Sequence, residues 1–303
     1  MRTRLVMIGA FVGALVVLAT SVAFSWPVGV QAEPVDEAAL AFNSPPGTCL
    51  AWANPTGADI HRVDCKQPHV FEMSGVVDIS ADYPGDAPSP PIDQWQKIKA
   101  DKCTPSVTAY LGGKLDPYGK FTVDALKPTD AQWRDGDRKL RCGIQRAAPS
   151  GSRLATRGSA TGQDQSNVYD PGTCLALVDN TIGDPVQCVN GHAYEIVGNV
   201  DLSEAFDGSS YPDEKKQASK LIDLCGKASK SYTGGLDLSK RKLTLYWDTL
   251  KKESWAAGSR RVDCKVGAVS SDGKSLRSVV GSVRKAPTTP TTTPPTTTTK
   301  RGG

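Results

Sequence analysis

Histidine is scarce in this chain, with three in 303 residues, and the sequence holds no G-x-S-x-G, no H-E-x-x-H and no P-loop. Those absences remove the usual marks of a strained nucleophile turn, a zinc-binding helix and a phosphate cradle. Apolar residues are also sparse at 39%, which favours two small cores over one large one. A clustered basic face is missing despite the net charge of +4. Residues 45–146 carry 13 basic and 13 acidic side chains, and residues 170–268 carry 13 and 14. The surplus falls at Arg153, Arg157, Lys274, Arg277, Arg284, Lys285, Lys300 and Arg301. Neutral domains with basic connectors do not form the face that nucleic acid requires, so no nucleic-acid partner is expected.

One long apolar run is present. Arg2 and Arg4 precede Leu5–Phe24, which is uncharged and long enough to cross a hydrocarbon core of about 30 Å as a helix. The flanking arginines hold that end in the cytoplasm and send the rest outside. Residues 1–32 are therefore read as a signal peptide or a signal anchor. The small residues at Val30-Gln31-Ala32 would permit cleavage after Ala32. The expected location is the cell membrane facing outward, with the segment as membrane contact if it is retained, or export if it is removed.

What the chain has in quantity is internal symmetry. Cys49, Cys65, Cys103 and Cys142 are separated by 16, 38 and 39 residues; Cys174, Cys188, Cys225 and Cys264 by 14, 37 and 39. "PGTCLA" opens both sets at Pro46 and Pro171. Tyr110 and Gly112-Gly113 recur as Tyr232 and Gly234-Gly235, and Trp133 with Gly136 recurs as Trp255 with Gly258. Two copies of one domain follow, at 45–146 and 170–269. Residues 147–169, rich in Gly, Ser and Ala, read as a flexible linker. Residues 270–303 read as a disordered Thr/Pro-rich tail, open to glycosylation or a spacer role outside the cell.

Within each copy the periodicity predicts strand–strand–strand–helix–strand–strand, an antiparallel sheet with one packed helix, hence α+β. Phe71, Met73, Val77 and Ile79 are expected on one face, as are Tyr194, Ile196, Val200 and Leu202. The helix around Leu221 and Cys225 should stop at Gly234-Gly235. Its counterpart, Asp93–Leu111, is expected to be weaker because Pro105 removes a backbone bond. Eight cysteines outside the cytoplasm imply disulfides. Sequential pairing within each copy is expected, since the helix cysteine and the last-strand cysteine bury in one core. Two other connectivities per copy stay open.

The motif Cys65-x-x-x-His69-x-x-Glu72 recurs as Cys188, His192 and Glu195. Thiolate, imidazole and carboxylate can all bind zinc, so His69, Glu72, His192 and Glu195 are candidate metal ligands. On a strand, however, residues three apart face opposite ways. His69 is then expected on the face of Phe71, away from Glu72, and His192 on the face of Tyr194. An oxidised cysteine also offers neither a metal ligand nor a catalytic nucleophile. The motif is accordingly read as a stapled structural corner, with no cofactor and no catalytic residue expected.

P-G-x-C, C-x-x-x-H-x-x-E, a third cysteine and W-x-x-G-x-R-x-x-C together resemble the septum-formation domain of actinobacterial envelope proteins. Here the last motif reads "WRDGDRKLRC" and "WAAGSRRVDC". The second copy departs from the fuller pattern, with Gly191 in place of Pro68 and "KKESW" before Trp255. The resemblance implies an envelope protein of septation, cell division or wall growth, and it carries no catalytic residues over. A binding or scaffold module outside the cytoplasm is the first expectation, engaging envelope or division proteins or wall polymer. A redox or metal sensor built on the Cys/His corner, and a wall-acting enzyme, are the alternatives.

Overall fold

In each repeat one helix packs on an antiparallel sheet, and a bulge at the matching place in both repeats decides which strand residues it touches. The structure is a computed structural model and describes residues 36–284, apart from 208, 209, 271, 272 and 274. The apolar run 5–24 and the tail beyond residue 284 lie outside the described residues. Both repeats belong to one compact unit that begins at Ala38.

The first repeat contains α1 (Glu37–Phe42), β1 (Cys49–Ala51), β2 (His61–Val63), β3 (Phe71–Asp78), α2 (Ile92–Tyr110), β4 (Thr122–Leu126), α3 (Asp130–Arg134), β5 (Lys139–Ala147) and β6 (Arg153–Leu154). The second contains β7 (Cys174–Val178), β8 (Thr181–Val186), β9 (Tyr194–Asp201), α4 (Glu214–Thr233), β10 (Thr244–Trp247), α5 (Lys252–Ala257), β11 (Arg261–Val269) and β12 (Leu276–Arg277). The strand orders, β2-β1-β3-β5-β4 and β8-β7-β9-β11-β10, are the same arrangement twice. The two sheets with their packed helices are the expected α+β repeats.

The expected single apolar face of β3 is not formed. The register shifts between Met73 and Gly75, and one extra residue reverses which side chains face the helix. Phe71 and Met73 pack with Ala41 and Leu50, whereas Val77 and Ile79 pack with Trp95 and Cys103. β9 behaves alike: Val200 and Leu202 share the α4 core with Val197, and Tyr194 and Ile196 do not. Glycine at the bulge permits the helix to close in. A Cβ on Gly75 would sit 2.6 Å from Ser106 Oγ, and one on Gly198 would sit 2.7 Å from the Ala228 Cβ.

α4 is capped by Asp213, which accepts from the Lys216 amide, and ends at Gly234 with φ 70°. α2 runs through Pro105. The lost backbone bond is outweighed by burial of Trp95, Ile98, Cys103 and Val107 along one stripe. The disulfides are Cys49–Cys65, Cys103–Cys142, Cys174–Cys188 and Cys225–Cys264, the sequential pairing. Each loop closure contributes about 3 kcal/mol in the chain-entropy picture.

Two expected boundaries move. The segment 147–169 is not a free linker: β6 pairs with β5, and His69 forms a β-bridge with Thr156. The tail begins later than residue 270, because β12 pairs with β11 and His192 bridges Val279. Each repeat thus ends in a strap laid back across its own sheet. The repeats also interlock. Buried Asp116 accepts from Ser254 Oγ (2.9 Å) and Ser259 Oγ (2.6 Å) of the second repeat, and Ser166 Oγ accepts from the Arg261 amide (2.9 Å).

Candidate functional site

The repeated Cys/His/Glu motif lies where the strap crosses the sheet. His69 stands before β3, which starts at Phe71, and a bend at Val70 interrupts strand alternation between positions 69 and 72. The expected opposite orientation therefore fails. His69 Nε2 lies 4.0 Å from Glu72 Oε2, with both side chains buried. His69 Nδ1 is 3.0 Å from the Gln67 carbonyl oxygen. A carbonyl only accepts, so Nδ1 carries a proton and donates to it, and Nε2 lies 3.2 Å from the Thr156 hydroxyl. The imidazole is a strut between a turn and the strap.

Glu72 is the anchor. Its Oε1 accepts from the Tyr110 hydroxyl (2.5 Å) and from Ser159 Oγ (2.5 Å), and its Oε2 accepts from the Ala160 amide (2.7 Å). One carboxylate thus joins the end of α2, the start of β3 and the strap. The second repeat builds the same latch: Glu195 accepts from Tyr232 (2.7 Å), Ser282 Oγ (2.6 Å) and the Val283 amide (2.7 Å). Burial, reinforced by the bond to the carboxylate, raises the Tyr110 phenol and pushes Tyr232 up to about 12. Both phenols stay protonated and donate at any physiological pH.

The arrangement has metal-like spacing but not metal-like chemistry. Ligand atoms of Cys49, His69 and Glu72 lie within 4.8 Å of one another, as do those of Cys174, Cys188 and Glu195. Every sulfur in these sets belongs to a disulfide and lacks the thiolate charge that binds zinc. The carboxylates already accept three hydrogen bonds each.

The motif tryptophans form a second recurrent corner. Trp133 donates from Nε1 to the Ala87 carbonyl (2.9 Å) and meets Trp95 edge-on at 5.6 Å. The Arg138 guanidinium lies 3.9 Å above the Trp133 ring and donates to the carbonyls of Trp133 and Gly85. Arg260 repeats this over Trp255 at 3.8 Å. In the first repeat these side chains hold the loop at residues 83–87.

Sequence reasoning missed Ser159, Ala160, Ser282 and Val283. Their signal was a Gly-Ser pair after the fourth cysteine of each set, Gly158-Ser159 and Gly281-Ser282. It also missed Asp263, which occupies the place of Arg141 before the last cysteine. Arg141 reaches back to Asn43 and stacks on Phe42. Asp263 instead holds the lead-in to its own repeat, accepting from the Tyr169 amide and from Asn199 Nδ2 at 2.6 Å. Burial first, then the negative charge of Asp248, pushes its carboxyl up to about 7.

Fold, disulfide framework and duplicated latch define a class of tandem, stapled α+β domains. The septum-formation family model matches residues 46–264, which takes in both repeats, and the chain belongs to that family. Two curated proteins of Mycobacterium tuberculosis, from strains CDC 1551 and H37Rv, are each 37% identical over 235 residues, covering 75% of this chain and 52% of theirs. Both bear the name uncharacterized membrane protein. The chain spans about half the length of these relatives. No solved structure matches. Among the described residues no helix is long and apolar enough to cross a membrane.

Proposed function

We propose that the protein is a non-enzymatic module of the cell envelope, facing outside the cytoplasm, that binds or scaffolds envelope or division proteins or wall polymer during septum formation or wall growth. The observation that carries this reading is the latch. In both copies the glutamate is spent on buried hydrogen bonds that fasten a strap, and the buried histidine ring is held by a turn carbonyl, with a further contact to the strap at Thr156 in the first copy alone. A fold that devotes these groups to stapling, and then duplicates itself, serves by presenting surface. Membership of the septum-formation family and the membrane-protein relatives supply the setting.

Proximity labelling from the full chain in growing cells tests the reading. Enrichment of envelope or division proteins, or of wall fragments, is expected. Labelling confined to cytoplasmic proteins, or turnover of wall material by the purified protein, would sink it. Elemental analysis of the same preparation separates the metal-sensing alternative, which demands a stoichiometric metal.

A further inference from the structure

The two repeats differ beside the latch. In the first, Val107, Phe121, Ile144 and Ala160 form a buried cluster. Equivalent positions follow from the ladders: Ile144 faces Glu72 as Val266 faces Glu195, and Phe121 precedes β4 as Leu243 precedes β10. Val107, four residues after Cys103, corresponds to Ser229, four after Cys225. The second repeat therefore has Ser, Leu and Val where the first has Val, Phe and Ile. Val283 in place of Ala160 restores only part of the volume. Three of these positions, Leu243, Val266 and Val283, wall a cavity of about 480 Å³ together with Val279, with Arg241 and Arg277 among its lining residues.

The chemistry around this cavity is uneven in the same way. Arg241 and Arg277 are exposed, and neither has an ion-pair partner among the described residues. Lys240 and Lys242 flank Arg241 and are also exposed. Val280 is 73% exposed and Val189 71%. They are neighbours, because the Gly281 amide donates to the Cys188 carbonyl (2.7 Å). In the first repeat Lys66 and Arg157 stand in those two places. The chain's own tail does not suit the site, since residues 285–303 carry Lys285, Lys300 and Arg301 and no acidic residue.

We infer that this cavity, specific to the second repeat, binds an anionic lipid. An aliphatic chain enters between Leu243, Val266 and Val279, and a phosphate or carboxylate head lies against Arg241 and Arg277. Guanidinium forks match such heads in geometry as well as charge. The volume falls within the roughly 300–1,000 Å³ typical of small-ligand pockets. This goes beyond the envelope reading and does not depend on it.

Hydrogen exchange on the full chain tests the inference at the amides of Val279, Gly281 and Val283, which bond to His192, Cys188 and Glu195. Dodecyl phosphate, below its micelle concentration, should slow exchange there saturably. Inorganic phosphate and dodecyl maltoside should not. Combined Arg241→Ala and Arg277→Ala should weaken the effect of dodecyl phosphate at least tenfold. Leu243→Phe, which installs the first repeat's side chain, should abolish it while leaving the arginines in place. Equal protection by inorganic phosphate would reduce the site to an anion patch, and equal protection by dodecyl maltoside to a nonspecific apolar surface. Either overturns the inference. So would undiminished binding to the double arginine variant, or protection of these amides by residues 285–303 themselves, revealed by faster exchange when that segment is removed.

Discussion

Glu72→Ala removes the acceptor on which the first strap depends. It leaves the Tyr110 hydroxyl, Ser159 Oγ and the Ala160 amide without their partner. Tyr110 and Ser159 are half-buried, and their hydroxyls can turn to other acceptors. The buried amide of Ala160 cannot turn. An unsatisfied buried donor costs about 1–3 kcal/mol, and hydrogen bonds to a charged acceptor contribute about 1.5–3 kcal/mol. Allowing for hydroxyl reorientation, the expected loss is about 3–5 kcal/mol. At about 2–4 °C per kcal/mol for a domain of 150–250 residues, the melting temperature should fall by roughly 6–20 °C. Glu72→Gln should fall between, because its amide nitrogen presents a donor to donors. Calorimetry of the full chain gives the shift, and hydrogen exchange at Ala160 localises it. A variant that melts with wild type and keeps Ala160 protected would refute the latch. A chelator that reproduces the loss in wild type would refute it differently, by making Glu72 a metal ligand.

Two further outcomes are expected. A first-repeat fragment ending at residue 146 lacks β6, Thr156, Ser159 and Ala160, and it should aggregate or melt without cooperativity. One ending at 168 should unfold in a single sharp transition, and equal behaviour of the two would restore 147–169 to linker status. Asp263 has a native pKa of about 7, above its ordinary 3.8, so the native state retains a proton that the unfolded chain releases between those values. Its contribution to stability is therefore present at low pH and is lost as pH rises through about 7. Asp263→Asn should flatten that decline, as read from denaturant midpoints at pH 5 and pH 8; an unchanged difference between the two pH values would remove Asp263 as its source.

The duplication was legible in the repeated cysteine spacing and the α+β class in the periodicities, and the sequential disulfides were expected because the helix cysteine and the last-strand cysteine bury in one core. The stop of α4 at Gly234 was a local matter. The faces of β3 and β9 were not legible. A bulge adds one residue to one strand, and nothing in the alternation of Phe71, Met73, Val77 and Ile79 announces it; only Gly75 hints at the close helix. The His69–Glu72 approach was hidden for a related reason, since the strand begins two residues after the histidine. The straps were missed because Gly- and Ser-rich composition normally signals freedom. Here their order comes from a carboxylate 87 and 88 residues earlier in the chain, through Ser159 and Ala160, a partnership invisible to any local window.

The position of the first strap bears on how eight cysteines avoid pairing wrongly. A chain that emerges N-terminus first, from a ribosome or through a membrane, presents Cys49, Cys65, Cys103 and Cys142, then Ser159 and Ala160, before Cys174 appears. Everything needed to complete the first repeat, its two disulfides and its fastening strap, is available while the second repeat's thiols are still withheld. In the finished repeat both Cys103 and Cys142 are fully buried, so that disulfide is closed to a later thiolate, whose attack requires access, whereas Cys65 keeps its own disulfide partly exposed. The strap thus divides a problem of eight cysteines, with 105 ways to pair, into two successive problems of four, with three ways each.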